Sequence, residues 1–535
     1  MSSFFQSLAY FFRLPFSLQW RTALVQLPRY VPLSILHITS PKGPHPFIIA
    51  LPGRKDNAIP IYVFVPPRPV DSGAGTKDDG ADTTSDASEW KVPVVLDFHG
   101  GGFIMGSPLE QAPYAAMMSR ELGAVVISVS YRIGPFSQFP AAIHDAEDVL
   151  SAILDDQGGS KAGRVLKEEI QRYYSFMRED ALRKKSGRHD DEHLDTLTTI
   201  TLDPSRLVIS GFSAGGNIAL NMAMSVPPCV GQFSIGSPRR LSLVSPRRSI
   251  DRTCANPTPL NNLPTAPQDT FSPCLPPIRE PTKLDDPEQP WPSLLPPVEA
   301  QPRLLPLLLF YPSLDARLLP HERPLKTLPN ALNPEDRGAQ KPRMPGLFSI
   351  MGPSYLPRRL RAHPRASPGL VDPENIARNA AIFLVLPEKD TLAVQSDIWV
   401  DWMNGRGWKG PVRFGDGREG DWDGHFKAKP SPNGSASGST TVTESDEQSK
   451  LSNQDPEKEN GGLEIWHAPN CRHGWTQFPV QILGKHEKKE RELVFDRTLD
   501  FVKANWKKSI PVKERGNRIQ ILRKLSIPTP FGLDS

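Results

Sequence analysis

The sequence predicts an α/β protein built on an open, mostly parallel sheet flanked by helices. Strand-like runs recur along the chain with helical patterns between them, which is typical of this class. The later runs are continuous in Val, Ile and Leu, as expected for parallel strands that are covered on both faces. The expected strands are 59–65, 92–98, 124–130, 206–210, 305–311, 381–386 and 463–467. The expected helices are 141–154, 214–224 and 490–506.

The composition indicates a core that is interrupted by polar inserts. Proline makes up 58 of the 535 residues, about twice the average frequency of roughly 5%. Polar inserts are expected to be surface loops or disordered, because burying them would leave backbone groups unpaired. The expected inserts are 68–89, a solvated helical excursion at 156–197, 227–303 and 414–461. The expected units are an N-terminal cap segment at 1–58, one α/β domain at 59–506 and a basic tail at 507–535.

Charge and cysteine content exclude several classes of protein. Lys and Arg number 63 against 59 Asp and Glu, and this balance argues against nucleic acid as a partner. The four cysteines have no short, regular spacing, so neither a disulfide framework nor a zinc site is expected.

The N-terminus is apolar but short. Met1–Phe12 has no preceding basic residue and is shorter than the roughly 20 residues of a membrane-spanning helix. Phe4, Phe5, Leu8 and Phe12 are spaced as on one helix face. That face either packs on the protein's own core or touches a membrane or lipidic substrate. We therefore expect an intracellular, cytoplasmic protein, with peripheral membrane contact through residues 1–30 as the alternative.

A glycine-rich segment, His99-Gly100-Gly101-Gly102-Phe103, directly follows the predicted strand 92–98. Consecutive glycines let the backbone turn with no Cβ in the way, so that adjacent N–H groups can converge on an anion. The simpler interpretation is a glycine turn between a strand and a helix.

A serine lies in the sequence Gly211-Phe212-Ser213-Ala214-Gly215, between a predicted strand and a predicted helix. This is the context of a nucleophile elbow, a sharp turn that exposes a reactive serine and needs small neighbours. The N-terminus of the following helix would offer the Ala214 N–H to a developing oxyanion.

Two further residues complete a candidate catalytic set. Asp390 follows the strand 381–386, and its carboxylate could reach the ligand-binding crevice or simply cap a helix. His473 lies in the loop after the strand 463–467, where a solvated histidine would be unremarkable and His467 is a competitor. The order Ser213, Asp390, His473 is nevertheless the chain order of the α/β-hydrolase triad.

Together these motifs resemble the hormone-sensitive-lipase-like family of α/β-hydrolase esterases and lipases. The resemblance runs with gaps from about residue 59 to residue 506 and skips the large inserts. It is carried by HGGGF at 99–103, YR at 131–132, FPAA at 139–142, GFSAGGN at 211–217, YP at 311–312, SP at 367–368, DTL at 390–392 and HG at 473–474. The resemblance implies an α/β-hydrolase fold, with a cap formed by N-terminal segments and the stretch 320–362. It also implies hydrolysis of small lipophilic carboxylic esters without a metal or cofactor.

The expected roles follow the serine-hydrolase pattern. Ser213 would attack the ester carbonyl, His473 would accept its proton, and Asp390 would orient the imidazole. The oxyanion is expected to meet the N–H groups of Gly101, Gly102 and Ala214. Motif-supporting residues are His99, Gly100, Gly211 and Gly215. Phe103, Met105 and Trp475 are expected either as apolar pocket walls or as core residues.

Two residues depart from the family pattern. Phe212 stands where Asp is usual before the nucleophile, and Thr391 stands where Pro is common after the acid. Phe212 leaves open whether turnover is reduced, so a ligand-binding or scaffold protein on the same fold is the alternative. An acyltransferase or peptidase using the same triad also stays open.

Three smaller motifs lie in the inserts. Ser237-Pro238-Arg239-Arg240 and Ser245-Pro246-Arg247-Arg248 reflect either biased composition or a phosphorylated docking segment. The acidic and histidine-rich stretch 189–193 indicates a solvated face rather than a metal site. Asn433 begins a glycosylation sequon that matters only in a secreted protein.

Overall fold

The computed structural model describes residues 9–54, 57–67, 89–186, 199–226, 291–323, 344–415, 419–420 and 460–510. Within these ranges the chain forms a ten-stranded sheet with helices on both faces. The strands are β1 (Phe47–Pro52), β2 (Ala58–Phe64), β3 (Glu89–Phe98), β4 (Val125–Val129), β5 (Thr199–Phe212), β6 (Leu305–Phe310), β7 (Ala380–Lys389), β8 (Val412–Phe414), β9 (Glu419–Gly420) and β10 (Leu463–Arg472). The helices are α1 (Phe16–Gln26), α2 (Leu36–Thr39), α3 (Ala112–Leu122), α4 (Ala141–Leu154), α5 (Lys161–Ser186), α6 (Ala214–Met222), α7 (Leu347–Tyr355), α8 (Ala393–Gly405) and α9 (Lys485–Asn505).

The sheet is parallel through its centre and antiparallel at its edges. Its strand order is β1-β2-β4-β3-β5-β6-β7-β10-β8-β9. Pairing is parallel from β4 to β8, while β1, β2 and β9 join antiparallel. All seven strands expected from the sequence are present, and the predicted α/β class is confirmed.

Two layers of core lie on the two faces of the sheet. Along β6, Leu307 and Leu309 belong to one layer, and Leu308 and Phe310 belong to the other, because successive side chains of a strand point to opposite faces. Helices α4, α5, α6 and α8 supply buried residues to the first layer, and α3 and α9 supply them to the second. Because the central strands are buried on both faces, their sequences are continuous apolar runs.

One expected insert contributes to the core instead of leaving it. The prediction that 156–197 forms a solvated excursion is wrong for α5, because Leu166, Ile170 and Tyr174 are buried. These residues recur every fourth position, so they form one stripe on an otherwise charged helix. That stripe packs against α4, β1 and β5.

Two other boundaries also need correction. The segment 1–58 is more than a cap, because β1 lies within it and pairs with β2 as the edge strand of the sheet. The expected insert 227–303 ends in ordered structure: Trp291 pairs with Val226 through two backbone hydrogen bonds of 2.8 Å. The Arg365 guanidinium lies 4.1 Å from the centroid of the Trp291 ring.

The rest of the inserts and most of the basic tail lie outside the described residues, as do the Ser-Pro-Arg-Arg repeats, the 189–193 cluster and Asn433. In the described part of the chain, no helix combines the length and apolarity needed to cross a bilayer.

Candidate active site

Ser213 occupies a sharp turn between β5 and α6. Its backbone has φ 53° and ψ −112°, a conformation that costs a non-glycine residue energy. Its N–H donates to the Phe310 carbonyl at 2.9 Å, which fixes the turn to the neighbouring strand β6.

The glycines around this serine are required by close backbone contacts. A Cβ at Gly211 would lie 2.1 Å from the Gly215 carbonyl oxygen. A Cβ at Gly215 would lie 2.0 Å from the Phe98 carbonyl oxygen. Residues 211–215 can therefore turn this tightly only with glycine at both positions, and the start of α6 is held directly against the end of β3.

Hydrogen bonds connect the three residues of the candidate triad. His473 Nε2 lies 2.9 Å from Ser213 Oγ, and His473 Nδ1 lies 2.8 Å from Asp390 Oδ2. The other carboxylate oxygen of Asp390 accepts the Leu392 N–H at 2.8 Å. Asp390 therefore fixes its own loop with one oxygen and faces the imidazole with the other.

The three residues come together because of where their strands end. Ser213, Asp390 and His473 each follow the carboxyl end of a strand, β5, β7 and β10 respectively. In an open parallel sheet the carboxyl ends share one edge, and ligands bind in the crevice there. The Asp390 side chain is 2% exposed whereas that of His473 is 36% exposed, so the carboxylate is shielded while the imidazole reaches solvent.

The glycine loop lies beside this triad. Gly101 has φ 114° and Gly102 has φ 59°, and a Cβ at Gly101 would lie 2.1 Å from the Met105 carbonyl oxygen. The N–H groups of Ile104 and Met105 both donate to the Gly101 carbonyl at 3.1 Å. These contacts turn the loop tightly at the two glycines expected to bind an oxyanion.

Contacts of α6 bring the third expected donor to the same place. A Cβ at Gly215 would also lie 2.5 Å from the His99 carbonyl oxygen, so the first turn of α6 abuts the start of the glycine loop. Ala214 is the first residue of α6, and the first N–H groups of a helix lack partners within that helix.

His99 supports the glycine loop. It is buried, its ring stacks on that of Tyr131 at 4.2 Å, and its Nδ1 lies 2.7 Å from the Gly100 carbonyl oxygen. Burial, assisted by the positive charge of Arg29, lowers the pKa of His99 to about 3. A neutral imidazole that donates Nδ1–H to the Gly100 carbonyl holds the loop, and it is not expected to transfer a proton in a reaction near neutral pH.

The expected pocket walls differ in their positions. Phe103 stacks on Tyr355 with ring centroids 4.7 Å apart, and both Phe103 and Met105 are half-buried. Trp475 is 0% exposed and belongs to the core layer under α3 and α9. It is therefore a core residue, although it lies only two residues after His473 in the sequence.

Two residues support the site that the sequence did not assign to it, Arg29 and Tyr311. Arg29 donates to the Gly106 carbonyl at 3.2 Å and to the Tyr131 carbonyl at 2.6 Å. The Tyr311 ring packs edge-on against His473 with centroids 4.8 Å apart, and only its place in the Tyr-Pro pair of the resemblance pointed to it. Nothing local in the sequence singles out Arg29, because its partners lie more than 70 residues away.

Among the residues that the structure describes, no group of three or more His, Cys, Asp or Glu side chains is arranged to hold a metal ion.

Comparison with known proteins agrees with the fold described above. A family model described as alpha/beta hydrolase fold matches residues 95–271, which include the glycine loop and Ser213. Together with the strand order, this match shows the α/β-hydrolase fold. This confirms the predicted fold and agrees with the resemblance to hormone-sensitive-lipase-like esterases.

Curated relatives match this α/β-hydrolase domain over limited segments. "Probable carboxylesterase 11" of Arabidopsis thaliana is 30% identical over 152 residues, covering 26% of this chain and 31% of that protein. "Esterase LipI" of Mycobacterium tuberculosis is 37% identical over 93 residues, covering 17% of this chain and 28% of its own. The chain thus spans about a third of the length of these relatives. Among solved structures, an esterase of Pyrobaculum calidifontis aligns with 15% identity over 90% of this chain and 93% of its own, at a TM-score of 0.41.

Proposed function

We propose that this α/β-hydrolase is a carboxylic ester hydrolase that acts through an acyl-enzyme on Ser213. The observation that carries the proposal is the pair of hydrogen bonds from Ser213 Oγ to His473 Nε2 and from His473 Nδ1 to Asp390 Oδ2, at 2.9 and 2.8 Å. These lengths lie within the range for a nucleophile, its base and the group that orients the base.

The reaction has two halves. Ser213 Oγ attacks the ester carbonyl carbon while its proton moves to His473 Nε2, giving a tetrahedral intermediate. The intermediate collapses as the imidazolium returns that proton to the leaving alcohol, which leaves an acyl group on Ser213. Water then attacks the acyl carbon with His473 again as base, and the carboxylic acid and free serine are released.

Asp390 and the glycine loop stabilise the charges that develop. Asp390 fixes the tautomer that carries a proton on Nδ1 and stabilises the imidazolium. The N–H groups of Gly101, Gly102 and Ala214 would receive the oxyanion, and each donor of this kind contributes on the order of 10²–10³ in rate. Because the backbone supplies these donors, they need no rearrangement during the reaction.

A lipophilic ester suits the surroundings of the loop. The glycine loop has apolar neighbours. Phe103 and Met105 are half-buried, and the ring of the cap residue Phe348 would lie 2.7 Å from a Cβ at Gly102. The relatives matched above carry the names carboxylesterase and esterase, which supports the same reaction class.

Hydrolysis of p-nitrophenyl acetate, butyrate and octanoate tests the proposal. Ser213→Ala should lower kcat/KM on the order of 10³-fold or more. Ser509→Ala, a change at an exposed serine beside Ile510, should match the wild type. A fluorophosphonate probe should label Ser213 in the wild type and leave the alanine variant unlabelled. If the folded wild type shows neither turnover nor labelling, the proposal of an enzyme is rejected and the ligand-binding alternative is favoured. Product analysis with added alcohol would separate hydrolysis from acyl transfer.

A further inference from the structure

An apolar stripe faces solvent along α1. The stripe consists of Phe16, Trp20 and Leu24 on the helix and Leu27 directly after its end, which are 80, 48, 49 and 59% exposed. At about 100° per residue these positions share one side of the helix. Leu18, Thr22 and Val25 are buried on the opposite side. One side of α1 thus packs on the core, and the stripe is left over.

The exposed apolar surface continues beyond the stripe. Phe12 is 68% exposed, Tyr30 81% and Ile38 75%, and Leu33 and Ile35 are also exposed. Single exposed apolar side chains are ordinary on a protein surface. A run of them in one segment marks an interaction site.

The charge of this segment is one-sided. No Asp or Glu occurs before Asp56, whereas the chain as a whole is nearly balanced. Arg13 is exposed next to the stripe, and the Arg21 guanidinium lies 4.5 Å from the centroid of the Trp20 ring. A partner with a negatively charged surface and an apolar interior matches both features.

Helix α1 and the segment that follows it contact residues near the candidate active site. Beyond α1, Arg29 is bonded to the Gly106 and Tyr131 carbonyls that flank the glycine loop. Helix α1 also packs against α7, the helix that carries Phe348 to Gly102.

We propose that the stripe is a membrane-docking surface whose partner is an anionic phospholipid bilayer. Its aromatic and leucine side chains would enter the boundary between headgroups and acyl chains. Arg13 and Arg21 would stay among the lipid phosphates. At 11 residues, α1 lies on the bilayer, because a spanning helix needs about 20 residues. This docking is independent of the proposed hydrolysis.

Co-sedimentation of the full chain with unilamellar vesicles tests the proposal. The wild type should pellet with phosphatidylcholine vesicles containing phosphatidylserine, and less with phosphatidylcholine alone. The triple change Phe16→Ser, Trp20→Ser and Leu24→Ser should weaken binding at least about tenfold. The matched control carries serine at Ile398, Val480 and Ile482, which are 50, 46 and 60% exposed outside the stripe, and should bind like the wild type.

The contribution of the arginine charges and the depth of Trp20 in the bilayer can be measured separately. Arg13→Gln and Arg21→Gln should each weaken binding to anionic vesicles about fivefold and flatten its salt dependence. Brominated lipids should quench the tryptophan fluorescence of the bound wild type. Trp20→Phe should bind as tightly but lose this quenching, although nine of the ten tryptophans remain.

Four outcomes would overturn the proposal. The first is equal binding of the stripe variant and its control, and the second is no binding of the wild type to either kind of vesicle. The third is a Tm that is several degrees lower in the stripe variant alone. The fourth is a wild-type dimer that becomes monomeric in the stripe variant. The third would mean that another segment of the chain covers the stripe, and the fourth that a second copy does. Hydrolysis of water-soluble p-nitrophenyl acetate should be the same in all these variants, which separates a failure of docking from a failure of the proposed enzyme.

Discussion

Phe212 stacks face to face on Phe310, with ring centroids 4.3 Å apart and planes 5° apart, directly behind the turn that presents Ser213. Tyr114 packs edge-on against Phe212 at 5.0 Å. The residue before the nucleophile is usually Asp in the family that the motifs resemble. Here that position is filled by an aromatic cluster, which supports the elbow by packing.

Phe212→Asp should therefore lower the free energy of unfolding of the protein. The side chain is 1% exposed, and a carboxylate among aromatic rings would lose its hydration without gaining a partner. We expect a loss of roughly 3–5 kcal/mol in the free energy of unfolding, measured by chemical denaturation. Phe212→Leu keeps the site apolar and should cost less than Asp. Equal stability of the two variants would contradict the packing role.

Asp390→Asn should leave the fold intact and disable the base. The amide can still accept the Leu392 N–H, but it no longer stabilises the imidazolium and favours the wrong tautomer of His473. We expect kcat on p-nitrophenyl butyrate to fall on the order of 10²–10⁴-fold with little change in Tm. Asp372→Asn, which alters a carboxylate paired with Arg406, is the matched control and should retain activity. Wild-type activity in Asp390→Asn would exclude the triad.

Gly101→Ala should distort the glycine loop. Its φ of 114° is unfavourable for alanine, and the new Cβ would lie 2.1 Å from the Met105 carbonyl oxygen. We expect kcat to fall on the order of 10²-fold or more, because the oxyanion donors shift. Gly123→Ala is the control: φ is also positive, at 60°, but nothing lies within 4 Å of the new Cβ. It should cost about 1 kcal/mol of stability and leave kcat unchanged, and equal kcat losses in both would refute the assignment.

Asp97 should make the protein less stable as the pH rises from about 4 to about 7. This carboxyl on β3 is 0% exposed and accepts a hydrogen bond from Ser128 Oγ at 3.1 Å. Burial raises its pKa from 3.8 to about 7. The folded state therefore holds the proton over pH 4–7 after the unfolded chain has released it, so stability falls across this window.

Asp97→Asn tests this linkage. The free energy of unfolding of the variant relative to wild type should rise between pH 4 and pH 7 by on the order of 3–4 kcal/mol and stay level above that. Urea denaturation at pH 4, 5, 6, 7 and 8 measures it. A difference that does not change with pH would show that Asp97 ionises normally in the folded state.

Local sequence patterns were sufficient to predict the strands and helices whose residues show a clear apolar pattern. The strand 92–98 was found because it is a nearly continuous apolar run, and the helix 141–154 because its apolar residues recur with a helical period. The helix α5 was recognised as helical but placed in solvent, because its many charges concealed three buried residues at every fourth position. Strand β1 has six residues, as many as β6, but a proline precedes it and another ends it, and it was missed. Only its pairing with β2 shows that it belongs to the sheet.

The α/β class, the turn at Ser213 and the order in which serine, aspartate and histidine follow their strands could be predicted from the residues alone. These are properties of neighbouring residues: apolar periodicity, glycines that permit tight turns, and a strand that leads into a helix. The folded chain brings Asp390 and His473, which are 83 residues apart, within hydrogen-bond distance of each other. It also buries Trp475 in the core and leaves the far side of α1 open to solvent. Burial depends on what packs across the sheet, and distant segments supply that packing.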